Sequence, residues 1–189
     1  MYGQNVFPIE WNNAQAAQLG KANGKKGCKA IRLINLLDPI GKAFYTLIWR
    51  LSPEAPCDFS YGFQPGKRRE QAILIQNTVG WKLRQLKRRH FIAFHDVSNA
   101  FPSPTYAALD QTMDRHAKHG ESNFLKCRYK QTQVTIECRN GSTVTVAPGT
   151  GSLQGDSTAA NQFRETFDNM MAQYCKIGPR DLGRRGLSR

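Results

Sequence analysis

Phe91-Ile92-Ala93-Phe94-His95-Asp96-Val97-Ser98-Asn99-Ala100-Phe101 is an apolar run that leads into one carboxylate, then a small polar stretch and an aromatic. The run predicts a buried strand. An acid at its end would be held rigidly at the edge of a site. A plainer reading fits the same residues, because Asp often begins a turn after an apolar strand. The neighbouring segments decide between the two.

Downstream, Ser103-Pro104 is expected to cap a helix that runs to about Lys118 and stops at Gly120. Thr132–Arg139 alternates, with Val134, Ile136 and Cys138 on one face and Gln133, Thr135 and Glu137 on the other. Asn140-Gly141 is a strong hairpin signal, and Val144 and Val146 continue the return strand. Pro148–Asp156 is a glycine-rich loop. A helix is expected from about Ser157 to Tyr174, with Ala160, Phe163, Phe167, Met170/Met171 and Tyr174 as its core stripe. Residues 176–189 read as a basic disordered tail.

Upstream, Arg69 to Lys87 predicts a helix with the stripe Ala72, Ile75, Val79, Leu83 and Leu86. Gly80 weakens it by about 1 kcal/mol relative to Ala. Lys82, Arg84, Lys87, Arg88 and Arg89 load its C-terminal end, a sign that also suits the helix dipole. Tyr61–Arg69 is turn-rich and basic. Ala30–Leu37 predicts a strand or strand-turn. Asp38-Pro39 then starts a helix whose apolar positions are Ile40, Phe44, Leu47, Ile48 and Leu51. Residues 1–29 form an irregular basic lead-in, with a short Ala/Gln-rich helix over Asn12–Leu19 and a Gly/Lys loop after it.

At 189 residues the chain suffices for one ordinary domain with a core. The net charge of +13 and pI near 9.9 favour an anionic partner, most often nucleic acid. No apolar run approaches the ~20 residues needed to span a bilayer, and Met1–Trp11 lacks the pattern of a secretory signal. Five scattered cysteines fit free thiols in a reducing compartment. The expectation is therefore an intracellular protein, nuclear or cytoplasmic. Cys127 and Cys138, with His116 and His119, match no standard zinc spacing.

The segments stand in a definite order. Ala30–Leu51 (AIRLINLLDPIGKAFYTLIWRL), Tyr61–Leu74 (YGFQPGKRREQAIL), His95–Phe101 (HDVSNAF) and Gly151–Asp156 (GSLQGD) together resemble the reverse transcriptase domain of non-LTR retrotransposons and group II intron-like elements. The first two look like fingers segments, the third like palm motif A and the fourth like motif B. The resemblance spans about Ala30 to Tyr174. It implies an α+β fold, a partial right-hand polymerase with fingers, an incomplete palm bearing an antiparallel hairpin, and no thumb. It divides the chain into residues 1–29, a partial domain over 30–175 and the tail.

The same resemblance implies roles. Asp96 would bind Mg²⁺, a hard cation suited to carboxylate oxygen, and Val97 would add its backbone carbonyl. Phe101 would lie under the nucleotide sugar and favour dNTPs. Arg32 would contact the triphosphate, and Gln154 and Gly155 would lie by the nucleotide. Lys67, Arg68, Arg69, Arg84, Lys87, Arg88 and Arg89 would face nucleic acid. The implied partners are an RNA template, a DNA primer and dNTP; the oligomeric state is left open. Arg32 also reads as a surface charge, and Gln154 as an ordinary turn residue.

One departure limits this. The family's third palm motif is an aromatic-x-Asp-Asp turn, and no Asp-Asp pair occurs in this sequence. One aspartate does not define two magnesium ions. The expectation is a domain fragment, truncated after motif B and inactive alone. Its alternatives are a non-catalytic RNA/DNA-binding remnant and an unrelated basic α/β structural domain.

Overall fold

Asn13–Gly20 (β1) is one of two inner strands of the sheet, although its Ala/Gln composition suggests a helix. The computed structural model describes residues 8–21, 24, 26–52, 60–138 and 140–184. By its contacts the chain divides into two units: Met1–Ala55 with Asn99–Arg189, and Pro56–Ser98.

In the first unit, β1 lies between Ile31–Leu37 (β2) and Gln133–Glu137 (β3), and Thr143–Val146 (β4) completes the order β2-β1-β3-β4. β1 runs antiparallel to β2, with Ala16 opposite Asn35, and parallel to β3, with Asn13 opposite Gln133. Residues of low intrinsic strand preference adopt the strand because two neighbours pair with them; strand preference depends strongly on context. The expected hairpin is present: Val134 faces Val146 and Ile136 faces Val144. Cys138 donates its N–H to the Ser142 carbonyl at 2.7 Å and accepts the Gly141 N–H at 2.9 Å, which closes the hairpin.

Pro39–Arg50 (α1) begins as expected. The Asp38 carboxylate accepts the Gly41 N–H at 2.7 Å, and Pro39 fills the first turn. Its buried face differs from the expected one. Tyr45, Ile48 and Trp49 are buried, whereas Ile40, Leu47 and Leu51 are exposed. Large aromatics bury more area when their polar tips find partners. The Tyr45 hydroxyl donates to Asn12 Oδ1 at 3.0 Å, and the Trp49 ring stacks on His116 at 3.7 Å.

α1 packs with Tyr106–His116 (α3) and His119–Lys130 (α4) around a core of Tyr45, Ile48, Trp49, Leu109, Met113, Leu125 and Tyr129. The α3 cap is Thr105, whose hydroxyl accepts the Ala108 N–H, rather than Ser103-Pro104. Gly120 is not a stop; it lies inside α4, and the break falls at Ala117, whose backbone is extended.

Ala159–Arg184 (α5) continues ten residues past the expected end at Tyr174 and through part of the expected tail; residues 185–189 lie outside the described residues. Its most deeply buried side chains include Gln162, Glu165 and Thr166, while Phe163 and Phe167 are half-buried and Met170 is exposed. Gln162, Glu165 and Thr166 can be buried there because each is bonded. Thr166 Oγ1 lies 2.9 Å from Thr112 Oγ1. His116 Nδ1 is 3.1 Å from Glu165 Oε1, and its Nε2 is 2.9 Å from the Trp49 carbonyl. Each ring nitrogen therefore has an oxygen within hydrogen-bond distance.

In the second unit, Arg69–Gln85 (α2) follows closely the expected bounds. The expected stripe is not a core: Ile75, Val79 and Leu86 are exposed, and Gly80 is the helix's one buried residue. Phe91–Asp96 is not a strand. Its residues are exposed, with Phe91 at 92% and Phe94 at 80%, and form no ladder among the described residues. A strand is made by its partners, and this run has no ladder partner among the described residues.

Candidate functional site

The Pro148–Asp156 loop docks on two distant parts of the first unit. On one side the Gly151 N–H donates to the Pro104 carbonyl at 2.8 Å and the Ser152 N–H to the Phe101 carbonyl at 2.8 Å. Thr150 Oγ1 adds a bond to the Pro102 carbonyl at 3.0 Å. Gly151 has φ +74°, and a Cβ there would lie 2.3 Å from Pro102 Cα. Only a glycine lets the two backbones come this close.

On the other side the loop covers the free edge of β2. The Gln154 carbonyl accepts the Asn35 backbone N–H at 2.7 Å and its Nδ2 at 3.0 Å. Gly155, at φ +114°, would direct a Cβ to 2.3 Å from the Asn35 carbonyl oxygen. Between these anchors Leu153 is buried with Ala14, Leu37 and Val134 against the sheet.

Asp156 closes the loop. Its Oδ2 takes the Arg128 Nε–H at 2.7 Å, and both side chains are almost wholly buried. Its Oδ1 accepts from the Thr158 N–H at 3.3 Å, ahead of α5. Arg128 also donates to the Trp11 carbonyl and stacks over the Tyr45 ring at 4.6 Å. Burial raises the Tyr45 hydroxyl pKa well above its ordinary value, against the opposing pull of Arg128. Thus the last residue of GSLQGD is a structural ion-pair member.

The expected site residues fall in both units. In the first, Phe101 is half-buried and its ring meets that of Phe163 at 6.1 Å, edge to face. Gln154 and Gly155 are half-buried at the β2 edge, and Arg32 is exposed on β2 opposite Leu19. In the second unit, Asp96 and Val97 are exposed. Lys67 lies 5.1 Å from the centre of the Tyr61 ring, and Arg69 pairs with Glu70 at 2.9 Å on the surface. That pairing holds the Glu70 carboxyl below its usual range. Arg68, Arg84, Lys87, Arg88 and Arg89 are exposed.

Asp96 and the Val97 carbonyl do not amount to a donor set for two Mg²⁺ ions. Among the described residues no three His, Cys, Asp or Glu side chains converge, and Asp156 is engaged by Arg128. Cys127 and Cys138 are half-buried free thiols, and burial pushes the Cys127 thiol up.

Three residues that organise the loop are absent from the sequence expectations: Asn35, Pro102 and Arg128. Asn35 leaves a faint trace, a lone amide within the apolar run Ile31–Leu37. Arg128 leaves none, because it reads as one more surface cation on a polar helix.

Among the solved structures that the chain is similar to is one described as apo telomerase from Candida tropicalis truncated from its C-terminal domain. The TM-score is 0.54 at 10% identity. The match covers 92% of this chain, which spans 41% of the length of that telomerase chain. No protein-family profile matches, and no curated protein does. The fold is therefore mixed α+β and like that of telomerase. Among the described residues no helix is long and apolar enough to cross a membrane.

Proposed function

We propose that this chain is the fingers and half-palm portion of a reverse-transcriptase-like polymerase, and that its own residues bind nucleic acid without completing the chemistry. One observation carries the reading: the GSLQGD loop joins the segment after the Asp96 motif to the strand that bears Arg32, within a fold like that of telomerase. A templating loop set between a nucleotide-facing strand and the motif A segment would have this connectivity. The telomerase likeness also supports nucleic acid as the partner class, and the charge of +13 supports a polyanion.

In this reading the template is RNA, the primer DNA and the incoming nucleotide a dNTP. Arg32, Phe101, Gln154 and Gly155 line the nucleotide side, and the parent element is of the non-LTR or group II type. Magnesium would be held only when further carboxylates join Asp96 and Val97. The lone Asp96 favours, as present activity, binding without polymerisation.

The test is fluorescence anisotropy of the chain on an RNA template with an annealed DNA primer, titrated from about 50 to 200 mM salt. We expect log affinity to fall linearly with log salt, and no primer extension when Mg²⁺ and dNTPs are added. Absent or salt-independent binding overturns the reading. Extension would overturn the inactive part alone.

A further inference from the structure

We propose that Phe91 and Phe94, with the cations that precede them, form a stacking site for a single nucleic-acid strand. The proposal rests on the nucleic-acid reading above and names the residues and the form of the ligand.

Two large apolar rings are held almost fully in water, at 92% and 80% exposure, on a segment that forms no strand. Scattered surface apolar residues need no explanation, but two aromatics this exposed within four residues form a patch with an unmet partner. The residues before them identify that partner. α2 ends in a left-handed turn at Lys87, φ +50°. The Lys87 N–H bonds the Arg84 carbonyl at 2.9 Å, and the Arg88 N–H bonds the Leu83 carbonyl at 2.9 Å. That double closure stops the helix and leads the chain directly from Arg88 and Arg89 into the aromatic run.

An apolar protein surface would match the rings and leave these cations unmatched. Lys and Arg outnumber Asp and Glu eight to three between Pro56 and Ser98, so the complementary partner is a polyanion with flat apolar faces. A nucleic-acid strand supplies both, and only an unpaired one presents free base faces to the rings. Phosphates would contact Arg88 and Arg89, and bases would stack on Phe91 and Phe94.

The experiment is anisotropy on the full chain with short oligo(U) RNA, alone and annealed into a duplex. The variants are Phe91→Ala/Phe94→Ala, Phe91→Tyr/Phe94→Tyr and Arg88→Ala/Arg89→Ala. We expect the single strand to bind more tightly than the duplex. The alanine pair should lose about 5- to 100-fold per ring, and the tyrosine pair should keep its affinity. The arginine pair should flatten the single-strand salt slope by about 1.4. Equal single-strand and duplex affinity overturns the proposal. So does an alanine pair with unchanged, salt-dependent binding, which would leave the function above standing. Loss of self-association in the alanine pair, with RNA binding intact, would assign the rings to a second copy and overturn it too. Absence of any binding would remove both readings.

Discussion

Gly155 and Asn35 touch backbone to backbone. With φ at +114°, Gly155 would place a side-chain carbon 2.3 Å from the Asn35 carbonyl oxygen, so the loop reaches β2 only because that carbon is missing. Gly155→Ala therefore meets both a disfavoured conformation and a clash with backbone that cannot rotate away. We expect a loss of about 2 kcal/mol or more in urea denaturation, together with faster amide exchange at Asn35. A neutral Gly155→Ala would mean that the loop is not anchored at that edge.

Gly80 is the opposite case. It lies in the interior of α2, and an added Cβ would meet only His90 Nε2, at 4.0 Å. Gly80→Ala should stabilise that helix by about 1 kcal/mol, read as slower amide exchange along α2. Faster exchange would show that the space beside Gly80 is smaller than the geometry says.

The buried Arg128–Asp156 pair should be costly to break from one side. Arg128→Met leaves the Asp156 carboxylate with its charge uncompensated, and Asp156→Asn leaves the guanidinium so. Each should lose about 3–5 kcal/mol, and the double variant should lose less than the sum. Additive losses in the denaturation cycle would show that the two residues act independently.

Alkali should unfold the first unit through two tyrosines. Burial raises the hydroxyl pKa of Tyr45, and burial followed by its hydrogen bond to Asp110 raises that of Tyr129. Folded values above the ordinary 10 mean that both groups contribute stability in full below about pH 10 and lose it as pH climbs further. A Tyr45→Phe/Tyr129→Phe variant should be less stable at neutral pH, through two lost hydroxyl bonds, yet fall off less steeply above pH 10. Parallel pH curves for the variant and the parent would refute this assignment.

What the sequence disclosed was local. Asp38-Pro39 begins α1 because a cap and a fixed φ act within one turn. The β3–β4 hairpin has its expected register because alternation and turn lie side by side. The glycines of the GSLQGD loop announced a close approach, but not that Asn35 and Pro102 were its targets. The misses are non-local. β1 is a strand because of partners that follow it by up to 120 residues. The buried faces of α1 and α5 are chosen by Asn12, His116 and Thr112, which no periodicity within either helix reveals. Phe91–Phe94 has the composition of a strand and lacks the neighbour that would make it one.

β1 links the two ends of the sheet in time as well as in space. β2 can pair with β1 as soon as Leu37 has emerged, but Asn13 must wait for Gln133. A growing chain therefore carries the β1–β2 hairpin with both outer edges open until Gln133 and Gln154 have been made. Such long-range parallel pairing pays its loop entropy before it gains contacts, which places folding toward the slow, millisecond-to-second end of the range for small domains. The delay falls on the step that joins the β1–β2 ribbon to the β3–β4 ribbon, and a chaperone that shields the waiting edge of β1 would raise the yield of folded protein more than one acting on the helices.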